Sequence, residues 1–234
     1  MVAWGFKKRS PARTVQENLN DAGRTRGRGV VKLRENDRHD LRWSDAGIRL
    51  TQFHRNVATP ASDFTGAMAI TNSAPHEFDV VRHVLGTEYA WISAFQPKRS
   101  DRRVAPVLMV LETVDGQLVN IEINNNAAYG YDVRAELVGE QASISMSHVA
   151  YTHLERSLGV HTGYDADWRT RYFDAYRRQN RAFLRFVDTD VFPEIASSCW
   201  DGYAAAVAAE AGVTALASGQ KQVVTMISKP EFYA

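Results

Sequence analysis

Apolar and polar residues alternate along the middle of the chain, which is typical of β-strands that bury one face. The alternation is seen in residues 118–124 and 133–146, and apolar- and aromatic-rich runs at residues 48–54, 88–96 and 104–113 give further strand signals. Asp115-Gly116 is a strong signal for a turn between two of these strands. Because the strands follow one another through short turns, the pattern predicts a largely antiparallel sheet rather than alternating βαβ units.

Two later segments repeat apolar residues at helical spacing. Residues 167–188 place Trp168, Tyr172 and Phe183 on one side and arginines elsewhere, which predicts a long amphipathic helix with a solvated arginine face. Residues 201–218 form an alanine-rich helix that Gly219 ends. Residues 148–164 have no clear period, and their three histidines are too irregularly spaced to predict a metal site.

The stretch from Ala69 to Gly86 predicts a loop that leads into a short helix. Asn72 or Ser73 can cap that helix, Pro75 suits its first turn, and Gly86 is a plausible stop. The apolar residues Phe78, Val81 and Leu85 recur at helical spacing and would face the core.

A second face of the same helix carries polar groups. His76 and Asp79 are three residues apart, and Asn72 lies a turn or less upstream. The spacing alone fits a cap amide with two surface side chains at least as well as it fits a site.

Composition narrows the class of protein. The chain has 234 residues, 44% of them hydrophobic, and a formal charge of +1, which argues against a dedicated nucleic-acid or membrane surface. Its single cysteine, Cys199, rules out an internal disulfide framework and predicts a cytoplasmic protein, with Cys199 itself a buried small residue. No run resembles a membrane span or a signal peptide.

The first part of the chain differs from the rest. Residues 1–55 contain 13 of the 28 Lys and Arg residues but only 6 of the 27 Asp and Glu residues. We predict a basic, poorly ordered extension over residues 1–46 and one domain over residues 47–234. A basic arm for anionic partners stays an alternative, although aromatic residues are nearly absent. Gly27-Arg28-Gly29 has no preceding strand and lacks a third glycine, so it does not predict a dinucleotide loop.

Three stretches resemble the Gfo/Idh/MocA (glucose–fructose oxidoreductase / inositol 2-dehydrogenase) family. The similarity covers residues 49–222, most of the family's C-terminal substrate domain, and is greatest to the inositol 2-dehydrogenase branch. The motifs are Ile70-Thr71-Asn72-Ser73 with His76 to Arg82 and Leu85-Gly86, the strand end His54-Arg55-Asn56, and the strand turn Ala127 to Arg134.

The resemblance implies an α+β fold: an open, largely antiparallel sheet with helices packed on one face, and with the N-terminal Rossmann domain absent. It implies that His76 is the base that accepts the proton of a secondary alcohol, with Asn72 at a position where many relatives carry aspartate. The implied substrate-binding residues are Asp79, Asn56, His54, Tyr129 and Tyr131. Asp132 and Arg134 are read more simply as a surface pair.

The same resemblance implies a nicotinamide cofactor, NAD or NADP, whose binding residues are expected in the absent half. Lys229-Pro230 does not match the family's Glu-Lys-Pro motif, because Lys229 follows Ser228 at the far end of the chain. We therefore expect the substrate portion of an inositol or polyol dehydrogenase. It would form homo-oligomers through its sheet face and be served by a separate cofactor-binding chain. The alternative is a catalytically inactive, truncated domain that was retained for assembly or polyol binding.

Overall fold

The structure is a computed structural model. It describes residues 6–7, 48–56, 63–101, 103–127, 130–146, 153–163, 168–193 and 195–233. The strands are β1 (Phe6–Lys7), β2 (Ile48–Asn56), β3 (Tyr89–Phe95), β4 (Val107–Thr113), β5 (Leu118–Asn124), β6 (Asp132–Gly139), β7 (Ser143–Ser145), β8 (His153–Arg156), β9 (Gly159–Thr162), β10 (Ile195–Ala196) and β11 (Gln222–Val223).

The helices are α1 (Gly66–Met68), α2 (Pro75–Leu85), α3 (Trp168–Arg171), α4 (Phe173–Thr189) and α5 (Cys199–Ser218). A π-helical segment, Ala69–Ser73, joins α1 to α2, and a 3-10 turn spans Glu231–Tyr233.

Seven strands form one open sheet in the order β11-β3-β4-β5-β2-β6-β7. Neighbouring strands are antiparallel except for β2 and β5, which are parallel. The predicted largely antiparallel sheet is therefore confirmed. Strand β2 lies inside the sheet, between β5 and β6, although it is the first of the three in the chain.

The sheet buries one face under α2, the π-helical segment and α5. The alternation is clearest in β4, where Val107, Met109 and Leu111 are fully buried while Leu108 between them is exposed. The side chains that fill this core from the helices include Ile70 and Phe78. The predicted packing of helices on one face of the sheet is confirmed. This packing removes the apolar side chains of that face from water.

The helical region around His76 begins earlier than the sequence pattern predicts. Thr65 is the cap, since its side chain accepts a hydrogen bond from the Met68 backbone N–H. The prediction that Asn72 or Ser73 caps the helix is wrong, because a π-helical turn continues the backbone through both residues. Gly86 ends α2 in the left-handed region at φ 69°, as predicted.

Helix α5 packs against both α2 and strand β3 of the sheet. Ser198 and Asp201 cap its N-terminus reciprocally, and Gly219 ends it in the left-handed region. A Cβ atom built on Gly212 would lie 3.1 Å from the side chains of both Ile70 and Ile92, so the absent side chain lets the helix approach the core closely. Cys199 is exposed at the start of α5, so the prediction of a buried cysteine is wrong.

The predicted long helix is present but is divided at Tyr172 into α3 and α4. None of the side chains of α4 is buried by the described part of the chain. Its arginines are exposed as predicted, but Phe183, Leu184 and Val187 on its apolar side are exposed as well. The strands β8 and β9 form a separate hairpin in the region where no period was found.

Candidate functional site

The π-helical segment and α2 place Asn72 and His76 about one helical turn apart. The turn is wide because the Ala74 N–H donates to the Ala69 carbonyl five residues earlier, at 3.2 Å. The side chains of Asn72 and His76 are both exposed. An amide and an imidazole on one exposed stretch of helix can both contact the same small polar ligand.

Asp79 lies on the next turn of α2 and is held by two neighbours. Its Oδ2 accepts a hydrogen bond of 2.6 Å from the Ser197 hydroxyl, just before α5. Its Oδ1 lies 3.8 Å from Arg82 Nη1. The carboxylate therefore ties α2 to the start of α5, while about a quarter of the side chain stays exposed.

Arg82 is the centre of a buried ion network behind this helix. Its guanidinium contacts Glu88 through Nε and Nη2 and Asp201 through Nη1 at 3.2 Å. Burial lowers the pKa of Arg82, but the hydrogen bonds and charges of Glu88 and Asp201 outweigh that effect, so the net pKa is raised. The network fixes α2 relative to α5 and the turn before β3.

Tyr89 fixes the same helix from the sheet. Its hydroxyl donates to the Phe78 carbonyl at 2.9 Å, and the two rings meet edge to face with centroids 5.9 Å apart. Burial raises the pKa of the Tyr89 phenol well above its usual value. These buried contacts hold α2 in place against the sheet, and with it the polar residues on its other face.

The C-terminal ends of β2 and β5 meet at one edge of the sheet because these two strands run parallel. By register, His54 is opposite Glu122, and Asn56 is opposite Asn124 on β5 and Asp132 on β6. The strand end that was singled out in the sequence therefore lies beside the turn Ala127 to Arg134 that was singled out separately.

Three consecutive asparagines, the last residue of β5 and the two turn residues that follow it, were not selected by sequence reasoning. Asn124 Oδ1 accepts from the Asn126 backbone N–H at 3.1 Å, and the Asn126 amide donates to the Val104 carbonyl. The buried Asn125 donates from Nδ2 to Ser73 Oγ at 3.2 Å. The available signal was the run of turn-forming residues directly after a strongly alternating strand.

The two tyrosines predicted to contact substrate have different outcomes. Tyr131 is buried, and its ring meets that of Tyr172 edge to face with centroids 5.9 Å apart. Tyr129 lies outside the described residues. Asp132 pairs with Arg134 at 2.5 Å, but it is only 4% exposed, so the prediction of a surface pair is wrong for Asp132.

Three further observations concern other kinds of site. A groove of about 720 Å³ lies along the sheet near Phe95, Leu108 and Leu216, away from His76. Across the ranges that the structure describes, no three His, Cys, Asp or Glu side chains are grouped to hold a metal ion. Within the same ranges, no helix is long and apolar enough to cross a membrane.

The described residues do not fit a dinucleotide. The one parallel pair among them, β2 and β5, is separated in the chain by α2 and the antiparallel strands β3 and β4 rather than by a single crossover helix. No glycine-rich turn between a strand and a helix is present in those residues to hold a pyrophosphate.

Comparison with known proteins gives consistent results. Residues 47–145 match the model of the GFO/IDH/MocA C-terminal domain. The chain is 40% identical over 185 residues to inositol 2-dehydrogenase 1 of Saccharopolyspora erythraea, which covers 77% of this chain and 54% of that protein. It is 37% identical to inositol 2-dehydrogenase/D-chiro-inositol 3-dehydrogenase of Shouchella clausii, covering 88% of this chain and 59% of the relative.

A similar solved structure is myo-inositol dehydrogenase from Lactobacillus casei in complex with NAD(H) and myo-inositol. It superposes with a TM-score of 0.75 at 25% identity and covers 80% of this chain and 57% of that one. The chain thus spans a little over half the length of the relatives it matches.

Proposed function

The chain belongs to the GFO/IDH/MocA family through its C-terminal domain, and on that premise we propose that it is the substrate-holding portion of a nicotinamide-dependent oxidoreductase. The reaction would be oxidation of a secondary alcohol of inositol or a related polyol or sugar. Relatives named as inositol dehydrogenases support this substrate class.

The main support for the proposal is that His76 and Asn72 are both exposed on a helical stretch that buried contacts hold in place. The helix beneath them is held by the buried Arg82 network and by Tyr89. A site that must align a hydroxyl with a base needs this rigidity, because small displacements of catalytic groups cost large factors in rate.

In the proposed mechanism, His76 takes the proton of the alcohol that is oxidised. An imidazole suits this role because its ordinary pKa, about 6.5, lies near working pH. Asn72 would orient the hydroxyl or the imidazole through its amide, which donates and accepts but carries no charge. The described residues do not fit the cofactor, so we assign this chain only the polyol and the proton.

The other predicted substrate contacts remain part of the proposal. Asp79, one turn beyond His76, would accept a hydrogen bond from a second hydroxyl beside the one that Ser197 donates to it. His54 and Asn56, at the end of β2, are proposed substrate-binding residues by the resemblance, and so are Tyr129, which lies outside the described residues, and Tyr131. Of these, Tyr131 packs against the ring of Tyr172, so we propose that it only lines the polyol site.

The identity of the cofactor and that of the partner chain are also proposals. NAD or NADP would be held by a dinucleotide-binding part supplied by another segment or chain. The sheet face opposite α5 exposes Phe95, Leu108 and Leu118, and we expect a second copy of the chain to cover it.

The competing hypothesis is a domain that binds polyol or assembles without turnover. Asn72 in place of the family's aspartate favours it, because an amide cannot relay a proton as a carboxylate does. Both hypotheses predict that the chain binds polyol. They differ in whether His76 accepts a proton from the alcohol during turnover.

The deciding experiment is calorimetric titration of the full chain with myo-inositol, with and without NADH, followed by turnover assays. The dinucleotide-binding portion of a similar inositol dehydrogenase would be added as a separate chain. We expect polyol binding without NADH, and turnover that His76→Ala abolishes but His161→Ala, at an exposed histidine on β9, preserves. Binding with no turnover would favour the inactive domain, and no binding would contradict both.

A further inference from the structure

Two motifs that come from distant parts of the chain are joined by one buried hydrogen bond. Ser73 ends the π-helical segment that carries Asn72, and Asn125 lies in the turn between β5 and the strand turn Ala127 to Arg134. Asn125 Nδ2 donates to Ser73 Oγ at 3.2 Å, and the two residues are 4% and 8% exposed. The bond therefore crosses the interface between helix and sheet next to the proposed polyol site.

The π-helical segment needs such an anchor. A π turn places an extra residue in the helix, has poorer packing than an α-turn, and survives where its surroundings hold it in place. The segment is buried at Ala69, Ile70 and Ser73, while Thr71 and Asn72 stay exposed. Of its buried residues, Ser73 carries the one polar side chain, so the bond to Asn125 gives the segment a directional contact as well as apolar packing.

The asparagines on either side of Asn125 hold it in position. Asn124 accepts from the Asn126 backbone within the turn, and Asn126 donates to the Val104 carbonyl ahead of β4. These contacts fix the turn on the sheet, which leaves Asn125 to reach across to the helix. A displacement of Asn125 would be transmitted to Ser73 and so to its neighbour Asn72.

We propose that Asn125 is a positioning residue for the polyol site, acting through Ser73 to set the π-helical segment and the placement of Asn72. It does not touch the reacting atoms. The inference rests on the proposed function for its polyol readout. Its structural content, that Asn125 sets the conformation of residues 69–76, is measurable without a ligand.

The test is a double-mutant cycle with a matched control. Ser73→Ala, Asn125→Ala and the double variant would be titrated with myo-inositol, and amide hydrogen exchange would be followed over residues 69–76. Thr113→Val is the control, because Thr113 is a buried polar residue whose hydroxyl bonds to Gln117 at the opposite edge of the sheet.

We expect each single variant to weaken myo-inositol binding about fivefold, the effect of one neutral hydrogen bond. The double variant should be no weaker than the worse single variant, because both changes remove the same contact. Exchange over residues 69–76 should accelerate in these variants. Thr113→Val should lower the melting temperature with unchanged affinity and unchanged exchange in that segment.

Unchanged affinity in Asn125→Ala, or additive effects in the double variant, would overturn the inference if the wild-type chain binds the polyol. If the wild-type chain does not bind it, the proposed function fails, and hydrogen exchange alone decides the inference. Equal exchange over residues 69–76 in the wild type and in Asn125→Ala would then refute it.

Discussion

Arg82 and Glu88 form a two-point ion pair in which Nε lies 2.5 Å from Oε2 and Nη2 lies 2.6 Å from Oε1. The third guanidinium nitrogen, Nη1, reaches Asp201, which also belongs to the capping box of α5. The planar guanidinium thus satisfies two carboxylates from different elements at once, which a lysine ammonium could not do with the same geometry.

Replacing this arginine should be costly. Arg82→Ala would leave the Glu88 and Asp201 carboxylates without their cation, and we expect a loss of about 3 kcal/mol in the free energy of unfolding. Urea denaturation measures it. Arg99→Ala is the control, since it breaks an exposed pair with Asp101 and should leave the free energy of unfolding nearly unchanged. Equal losses in the two variants would contradict a structural role for the buried network.

The buried phenol of Tyr89 lets us predict how the stability of the fold changes at alkaline pH. Burial raises the pKa of its phenol above the value in the unfolded chain. The stabilisation is therefore complete below the unfolded pKa, about 10, and is lost as the pH rises toward the folded value. Absorbance titration should find one tyrosine that ionises only with unfolding, and Tyr89→Phe should remove that step. A Tyr89→Phe curve identical to the wild type would disprove the assignment.

Gly212 predicts the tolerance of the contact between α5 and the core. Gly212→Val would push methyl groups against Ile70 and Ile92, which are fully buried, and should destabilise the chain by about 2 kcal/mol. Gly202→Ala is the matched change, because a Cβ at exposed Gly202 of the same helix meets nothing within 4 Å. That variant should gain about 0.5 kcal/mol from helix propensity. Thermal denaturation of both variants tests the contrast.

Asp101 predicts a titration at low pH. The hydrogen bond from Arg99 lowers the pKa of its carboxyl to about 2. The pair therefore contributes above the unfolded pKa, about 3.9, and its contribution is lost as the pH falls toward 2. Carboxyl NMR titration should find this low value in the wild type and a value near 4 in Arg99→Ala. A wild-type value near 4 would show that the pair does not form in solution.

Local patterns predicted the elements that depend on local chemistry. The alternation of Val119, Ile121 and Ile123 with polar residues predicted a strand, and Gly86 and Gly219 predicted the ends of two helices. Both glycines adopt positive φ, which other residues reach only with strain, so the sequence carries the signal directly.

Features that depend on distant partners escaped prediction. The π turn through Ser73 depends on packing and on Asn125, which is 52 residues away. Asp132 is buried because β2 pairs beside it, and no spacing near Asp132 reveals that neighbour. For the same reason the resemblance could nominate His76 and Asn72, whereas the buried contact that connects their segment to the sheet required the structure.

Because β2 lies between β5 and β6 in the sheet, its pairing must wait for later parts of the chain to be synthesised. A ribosome releases Ile48–Asn56 before either of the strands that flank it, β5 and β6, has been synthesised. The nascent β2 therefore has no partner strand until translation has passed Asn124, and it is paired on both sides only after translation has passed Gly139. The strand end at His54 and Asn56 thus takes its place only after Asn124 and Asp132 have emerged, so a chain interrupted before that point would lack this corner of the sheet.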